Sequence, residues 1–322
     1  MARICVVIVT YNSEPWIRRN LESLCNSKVP AHVIVVDNAS SDSTLQIVRD
    51  EFPSVELIAS TTNGGFGIGN NIGIARAIQH ASEYTFLLNQ DAYVTPDTIG
   101  ELLEFMDQYR EFGVASPLHC SPDVEHIDMK TYRGYLRTYA ADALCDAVLG
   151  RMKPYYRVHG VNAAAWFVRS SVFTITGGFD PIFFMYGEDD DLLSRFAFHK
   201  IPFALLTNSR VVHLRETAST PGAKSFWREI DRSAAKARSS LIASVKHPHF
   251  SQIHFVSTLI SYGLVRPLGD FFVERNLSDL LSSLVGFCRL LGEIPKIRKH
   301  TRLSATPGPH FLSLEKSGEL SI

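Results

Sequence analysis

The sequence carries almost no net charge: 32 Lys and Arg face 33 Asp and Glu over 322 residues, a formal charge of −1. No broad field draws such a chain to nucleic acid or to an anionic surface, so nucleic acid is not an expected partner and any anionic ligand must be held locally. Cysteine is sparse as well. Cys5, Cys25, Cys120, Cys145 and Cys288 form no C-x-x-C pair and sit mostly in apolar runs, which suggests neither a disulfide framework nor a zinc site and fits a reducing compartment. No uninterrupted apolar run reaches the length of a membrane-spanning helix. The opening "MARICVVIVTYN" lacks a small-residue cleavage site and reads as a first strand, so the expected location is the cytoplasm. Internal repeats and low-complexity segments are absent too. What is present, 45% hydrophobic and 20% charged residues, suffices for one large core plus an appendage.

Over the first ninety residues, β-branched apolar runs at 4–9, 33–36, 55–58 and 84–88 alternate with helix-like segments near 14–24, 43–51 and 68–81. Runs such as "CVVIV" and "VIVV" do not alternate, as expected of strands buried on both faces of a parallel sheet. The expected fold class is therefore α/β, a Rossmann-like, mostly parallel central sheet with helices on both faces. Ligands of such sheets bind beyond the carboxyl ends of the strands. Those ends read "TYN" (Thr10, Tyr11, Asn12), "DNASSDST" from Asp37, "TTNGGFGIGNN" ending at Asn71, and "NQDA" with Asn89 and Asp91.

Each end has two readings. Ser41, Asp42 and Ser43 are helix-capping residues, but Asp37 precedes that turn and is placed to accept from a ribose or a base edge. The glycine run misses the G-x-G-x-x-G spacing and follows the third strand, which speaks against a dinucleotide oxidoreductase; flexible turn and phosphate approach are equal readings of it. Asn89 and Asp91, two apart at a buried strand end, share a face and could hold a hard divalent cation, or serve as ordinary turn residues.

Residues 121–150 lack clear periodicity, an excursion of the kind that marks a binding loop. A strand and short helix are expected in 159–173 and a strand pair or a single strand in 203–214, where His213 stands at a further strand end with Arg215 beyond it. In "MYGEDDDLLSRF" a wheel of about 100° per residue puts Asp189 on the side of Leu192, Leu193 and Phe196, flanked by Glu188 and Asp190, with Asp191 pointing away. Helix-dipole placement accounts for the other three. A partly desolvated carboxylate at 189, beside a cleft, is a natural general base.

Taken in order, "VTYN", "VDNASSDST", "NGGFGIGNNIG", "LLNQDA", "GGFDPIFFMYGEDDDL" and "VVH" resemble the family 2 glycosyltransferases of GT-A fold, in particular the rhamnosyltransferase-like branch. The resemblance runs from about residue 2 to 213. It implies inverting sugar transfer from a nucleotide-diphosphate donor (dTDP-rhamnose or a UDP-sugar) to a glycan or lipid-linked acceptor in cell-surface polysaccharide assembly, with a divalent metal, Mg²⁺ or Mn²⁺. By position it gives Thr10, Tyr11, Asn12, Asp37, Asn71 and Asn89 to the nucleotide, and Asp91 and His213 to the metal. It gives Asp189 the role of base with Glu188 beside it, while Asn89 replaces the first aspartate of the family's Asp-x-Asp and Glu216 stands where a small residue is usual. Trp166 and Tyr186 are the weaker expectation for the sugar and acceptor pocket. A catalytically silent nucleotide-sugar-binding or scaffold protein is the alternative, since residues show groups and not turnover.

The expected division is a GT-A domain over 1–222, a helical extension over 223–300 and a flexible tail over 301–322. The extension is amphipathic and carries a basic "KIRKH". It is expected to pack on the main domain or to form a homo-oligomer surface, with a peripheral contact to the inner face of a membrane as the other reading.

Overall fold

The computed structural model describes residues 3–214 and 226–314. Four parallel strands, β1 (Ile4–Thr10), β2 (His32–Asp37), β3 (Glu56–Ala59) and β4 (Tyr84–Leu88), lie in the order β3-β2-β1-β4. Helices α1 (Ile17–Cys25), α2 (Thr44–Glu51) and α3 (Gly65–Gln79) connect them. The unbroken apolar run of β1 serves two cores. Ile4, Val6 and Ile8 pack with Ile17, Leu21 and Phe86 on one face, and Cys5 and Val7 with Ile34, Ile74 and Trp166 on the other. This two-sided burial removes the alternation of a half-exposed strand.

Beyond β4 the sheet becomes mixed, because β8 (Ala165–Arg169) runs antiparallel to β4. The order continues with β6 (Val114–Cys120), β9 (Phe203–His213) and β5 (Ala92–Val94), while β7 (Tyr155–Val158) also pairs with β9. Helix α4 (Thr98–Gln108) packs against this half. Strands β5 and β7, three and four residues long, carry no signal in the sequence. The stretch 121–150 is also more ordered than its lack of periodicity suggests, with short helical turns at Met129–Thr131 and Ala141–Val148.

Helix α3 begins at Gly65, earlier than the expected 68, so most of the glycine run lies inside it. A β-carbon on Gly69 would come within 2.6 Å of Val9, and one on Gly73 within 2.2 Å of Val7. These two glycines let the helix close onto β1.

Five helices, Phe226–Val245, Gln252–Ile260, Arg266–Glu274, Leu277–Leu291 and Ile294–Ser304, form the C-terminal part. Its core joins Leu241, Ile242, Val245, Phe255, Leu259, Leu290 and Ile297 to Ile182 and Phe183 of the segment before the acidic helix. The expected flexible tail differs from what is seen as far as residue 314. The last helix runs through Thr301 to Ser304, the Gly178 amide donates to the His310 carbonyl (2.9 Å), and Leu312 packs beneath Phe179 and its neighbours. Backbone pairing, which composition does not report, holds this stretch. Residues 315–322 of that expectation, and Arg215 and Glu216, lie outside the described residues. Among the described residues no helix is long and apolar enough to cross a membrane.

Candidate active site

The acidic helix Glu188–Phe198 starts directly after Gly187, whose φ of 90° is in the left-handed region. Its four carboxylates have four different surroundings. Asp191 is 2% exposed, Glu188 is buried, Asp189 is half-buried and Asp190 is exposed. The outward position expected for Asp191 is therefore wrong. The wheel assumed one buried face, but the helix Phe226–Val245 packs on the second and brings fully buried Lys246 with it. Asp191 accepts from Arg195 Nε (3.0 Å) and pairs with Lys246, whose Nζ also lies 3.0 Å from Asp180. Asp180 in turn meets His300 Nδ1 at 2.6 Å.

Asp189 faces the cavity. Tyr135 Oη donates to its Oδ2 (3.2 Å) and the Asp190 amide to its Oδ1 (3.0 Å). Burial, then the Asp189 charge, pushes the Tyr135 hydroxyl up. Glu188 Oε2 is buried without a protein partner, and burial followed by the Asp189 charge raises the Glu188 carboxyl to about 8. Glu188 is thus mainly protonated near neutral pH. Asp190 is raised to about 6 by the desolvating cavity wall, then by Asp189 and Asp191. Because Asp190 keeps much of its surface open, Glu188 is the carboxyl whose neutrality the geometry supports more firmly.

The antiparallel register of β5 on β9 sets Ala92 opposite His213, which brings Asp91 against the histidine. His213 Nε2 lies 3.2 Å from Asp91 Oδ1. His213 is 5% exposed, and its Nδ1 and the Oδ1 of Asn89 are both buried without a protein partner. Buried polar atoms are normally satisfied, so two such atoms beside a carboxylate fit a site completed by a bound group. Carboxylate oxygen, amide oxygen and imidazole nitrogen are together a donor set for a divalent cation of the Mg²⁺ or Mn²⁺ type.

The remaining sequence candidates divide. Thr10, Asn12 and Asp37 form a hydrogen-bonded cluster at the ends of β1 and β2. Asp37, fully buried, accepts from Thr10 Oγ1 (2.8 Å), Ser40 Oγ (2.5 Å) and the Ser40 amide (2.9 Å), while Asn12 Oδ1 accepts from the Ser41 amide (2.9 Å). The Tyr11 amide donates to Gln90 Oε1 (2.8 Å), between Asn89 and Asp91, and its side chain is exposed. Asn71 does not line the cavity described below: its Nδ2 donates to the carbonyls of Phe179 (2.7 Å) and Phe311 (3.0 Å), and its Oδ1 accepts from the Phe179 amide (2.7 Å), so its amide brackets the chain. Trp166 is likewise corrected: it is fully buried, stacked on Phe179, and its indole N–H donates to the Val161 carbonyl (3.0 Å). Strand β8 lies inside the sheet, so that ring has no path to a sugar in this structure.

A cavity of about 1100 Å³ gathers Asn89, Asp91 and His213 with Glu188, Asp189, Asp190 and exposed Tyr186. Sequence reasoning missed the other walls. Tyr135 and Tyr139 come from the stretch without periodicity, and Ser240, Ser244 and His247 from the C-terminal helical part. The aromatic content of 132–139, "YRGYLRTY", was the available signal for the first wall; the second had none, because a polar helix face reads as a solvent face.

An open α/β sheet with a carboxylate-lined cavity and candidate divalent-metal donors at its strand ends is the frame of a group-transfer enzyme. The family model described as "Glycosyl transferase family 2" matches residues 5–173, and the chain belongs to that family. It is a glycosyltransferase of the rhamnosyltransferase-like branch. An N-acetylglucosaminyl-diphospho-decaprenol L-rhamnosyltransferase of Mycobacterium tuberculosis is 30% identical over 216 residues, covering 59% of this chain and 69% of that protein. Among solved structures, residues 1–349 of TarS from S. aureus with UDP superpose with a TM-score of 0.56 at 16% identity, covering 94% of this chain and 88% of that one. A mannosyltransferase from Pyrobaculum calidifontis with GDP-Man and Mn²⁺ gives 0.54 at 16% identity, covering 94% and 84%. At such identities the two structures speak for the GT-A fold alone.

Proposed function

We propose that this chain transfers a sugar, with inversion, from a nucleotide-diphosphate donor to a hydroxyl of a glycan or lipid-linked acceptor during assembly of a cell-surface polysaccharide. L-Rhamnose from dTDP-rhamnose is the first donor to test and UDP-sugars the next, in keeping with the rhamnosyltransferase and the UDP-bound structure it resembles. The observation that carries the reading is the shared cavity, in which half-buried Asp189 opens onto the same space as Asn89, Asp91 and His213.

Asp189 Oδ accepts the proton of the acceptor hydroxyl while that oxygen bonds to the anomeric carbon. The bond from that carbon to the donor's phosphate oxygen breaks on the opposite face, and its electron pair leaves with the nucleoside diphosphate. Tyr135 Oη fixes the base. Thr10, Tyr11, Asn12 and Asp37 hold the nucleoside at the ends of β1 and β2, and Tyr186 flanks the sugar or acceptor. Asp91, His213 and Asn89 would hold a divalent cation, which when bound supplies positive charge for the departing diphosphate.

A panel of dTDP-, UDP- and GDP-sugars assayed for metal-dependent nucleotide release identifies the donor. In that assay Asp189→Asn should lower turnover by about 10²–10⁴-fold or more, with donor affinity largely kept. Normal turnover in that variant removes the base assignment, and donor binding without release by the native chain favours a silent binding protein.

For the acceptor side we propose that the enzyme works in the cytoplasm, resting on the inner face of the membrane. Ile253, Val256, Val265, Phe272 and Val273 are exposed, and the last three are neighbours in sequence of exposed Arg266 and Arg275, with Asp270 and Glu274 between them; the apolar and basic residues are suited to anionic lipid. Co-sedimentation with anionic vesicles but not with neutral ones is expected, and Phe272→Ser/Val273→Ser should abolish it; equal recovery in the supernatant with both vesicles refutes the contact.

A further inference from the structure

At the opposite end of the sheet from the cavity, three metal-ligating side chains converge that the transfer reaction does not use. His32 opens β2, Glu56 opens β3 and His80 caps the C-terminus of α3. Parallel pairing places Ile34 opposite Glu56, so His32, two residues before Ile34, shares that face. His32 Nε2 and His80 Nε2 each lie 2.7 Å from the same oxygen, Glu56 Oε2. The two rings are 4.5 Å apart at their centroids and tilted by 59°, and all three candidate ligand atoms fall within 4.8 Å of one another. The side chains are 29%, 21% and 30% exposed, which leaves one side open for a water.

We propose that His32, Glu56 and His80 form a zinc site that clamps the edge strand β3 to β2 and to the end of α3. Two imidazoles and a carboxylate are a characteristic donor set for Zn²⁺ with an exchangeable fourth position. Tetrahedral Zn²⁺ bonds of ~2.0–2.1 Å separate ligand atoms by about 3.3 Å. Each ring then has to retreat by about half an ångström from its present 2.7 Å contact with the carboxylate, and the two imidazole nitrogens, now within 4.8 Å of one another, have to reach the same separation. Arg76 bonds the other oxygen, Glu56 Oε1, and orients the carboxylate as an outer partner orients a ligand. Two nitrogen donors make this site softer than the Asp91, Asn89 and His213 set, and the two should sort cations differently. Strand β3 has the reason to need a clamp: it is four residues long, at the sheet edge, and none of its residues is fully buried.

The test uses the full chain after chelator treatment. Titrated with Zn²⁺ against a chromophoric chelator, the tightest equivalent should persist in Asp91→Ala and weaken at least tenfold in His32→Gln and in His80→Gln. Zn²⁺ should raise the Tm of the native chain by a few degrees and leave that of both glutamine variants unchanged. Co²⁺ added to the unaltered chain should give the intense visible bands of a four- or five-coordinate nitrogen and oxygen site, a readout that survives if a variant fails to fold. Equal Zn²⁺ affinity in the native chain and His80→Gln, or a Co²⁺ spectrum like that of the aqueous ion, overturns the proposal.

Discussion

Replacing Glu188 by Gln removes one proton-binding group whose environment is unusually one-sided. Burial first and the Asp189 charge second raise its carboxyl from 4.5 to about 8, and its Oε2 has no protein partner. A raised acid binds its proton more tightly in the folded chain than in the unfolded one. The stability it contributes is complete below about pH 4.5 and is lost as pH rises through about 8, a span worth about 5 kcal/mol in all. Between pH 4.5 and pH 7 the loss is about 3 kcal/mol. Glu188→Gln has no such proton to lose, so its stability relative to the native chain should climb by that amount over the interval. An unsatisfied amide group costs ~1–3 kcal/mol, but that offset does not vary with pH. Urea melts of both proteins at pH 5, 6, 7 and 8.5 read the difference directly. A kinetic companion follows from the same charge: above pH 8 ionised Glu188 adds a further negative charge beside Asp189 and Asp190, so donor KM should rise in the native enzyme and stay level in the variant. Parallel stability curves and a shared alkaline rise in KM would refute the neutral Glu188.

Asp91→Ala should weaken metal-dependent donor binding by tenfold or more while sparing the fold, since Asp91 is not fully buried; calorimetric titration of donor with and without Mn²⁺ checks it. Lys246→Ala should destabilise the chain by ~3–5 kcal/mol, because it leaves Asp180 and Asp191 buried with one fewer cation, whereas Lys246→Met, which fills the space, should refold no better unless Asp180 is also replaced. Denaturant melts separate the two, and a Lys246→Ala protein as stable as the native one would mean that the buried pair is not formed.

The first half of the sheet was legible because strands buried on both faces leave runs such as "CVVIV" that few other structures explain. Strands β5 and β7 were not, being too short to show a period. The same physics limited the site. That Asn89, Asp91 and His213 share one cavity could be anticipated because strand ends are where open sheets bind ligands, and a pair of polar residues two apart shares a face. Trp166 misled because an aromatic in a small-residue strand looks available until the layer above it is known; Phe179, Phe196 and Phe203 close around it. Asn71 misled in the same way, its amide being fully used by the backbone of residues distant in sequence. Ser240, Ser244 and His247 were invisible because a wheel cannot distinguish a polar face turned to water from one turned to a cavity.

The acidic run shows how far local geometry reaches and where tertiary neighbours take over. Four adjacent carboxylates would repel one another and any diphosphate if all were charged and equivalent. They are not equivalent. Asp191 is neutralised within the protein by Arg195 and Lys246, and Glu188 is kept mainly protonated by burial next to Asp189. What faces the cavity is then Asp189, held by Tyr135, with Asp190 at the more open rim. Removing two charges from the run would make the cavity compatible with the proposed anionic donor, and one of those removals depends on a lysine from the C-terminal helical part. That part is therefore bound into the electrostatics of the site, as well as into its walls, and a chain lacking it would leave Asp191 with Arg195 alone and Asp180 without either Lys246 or His300, just before the helix that carries the proposed base.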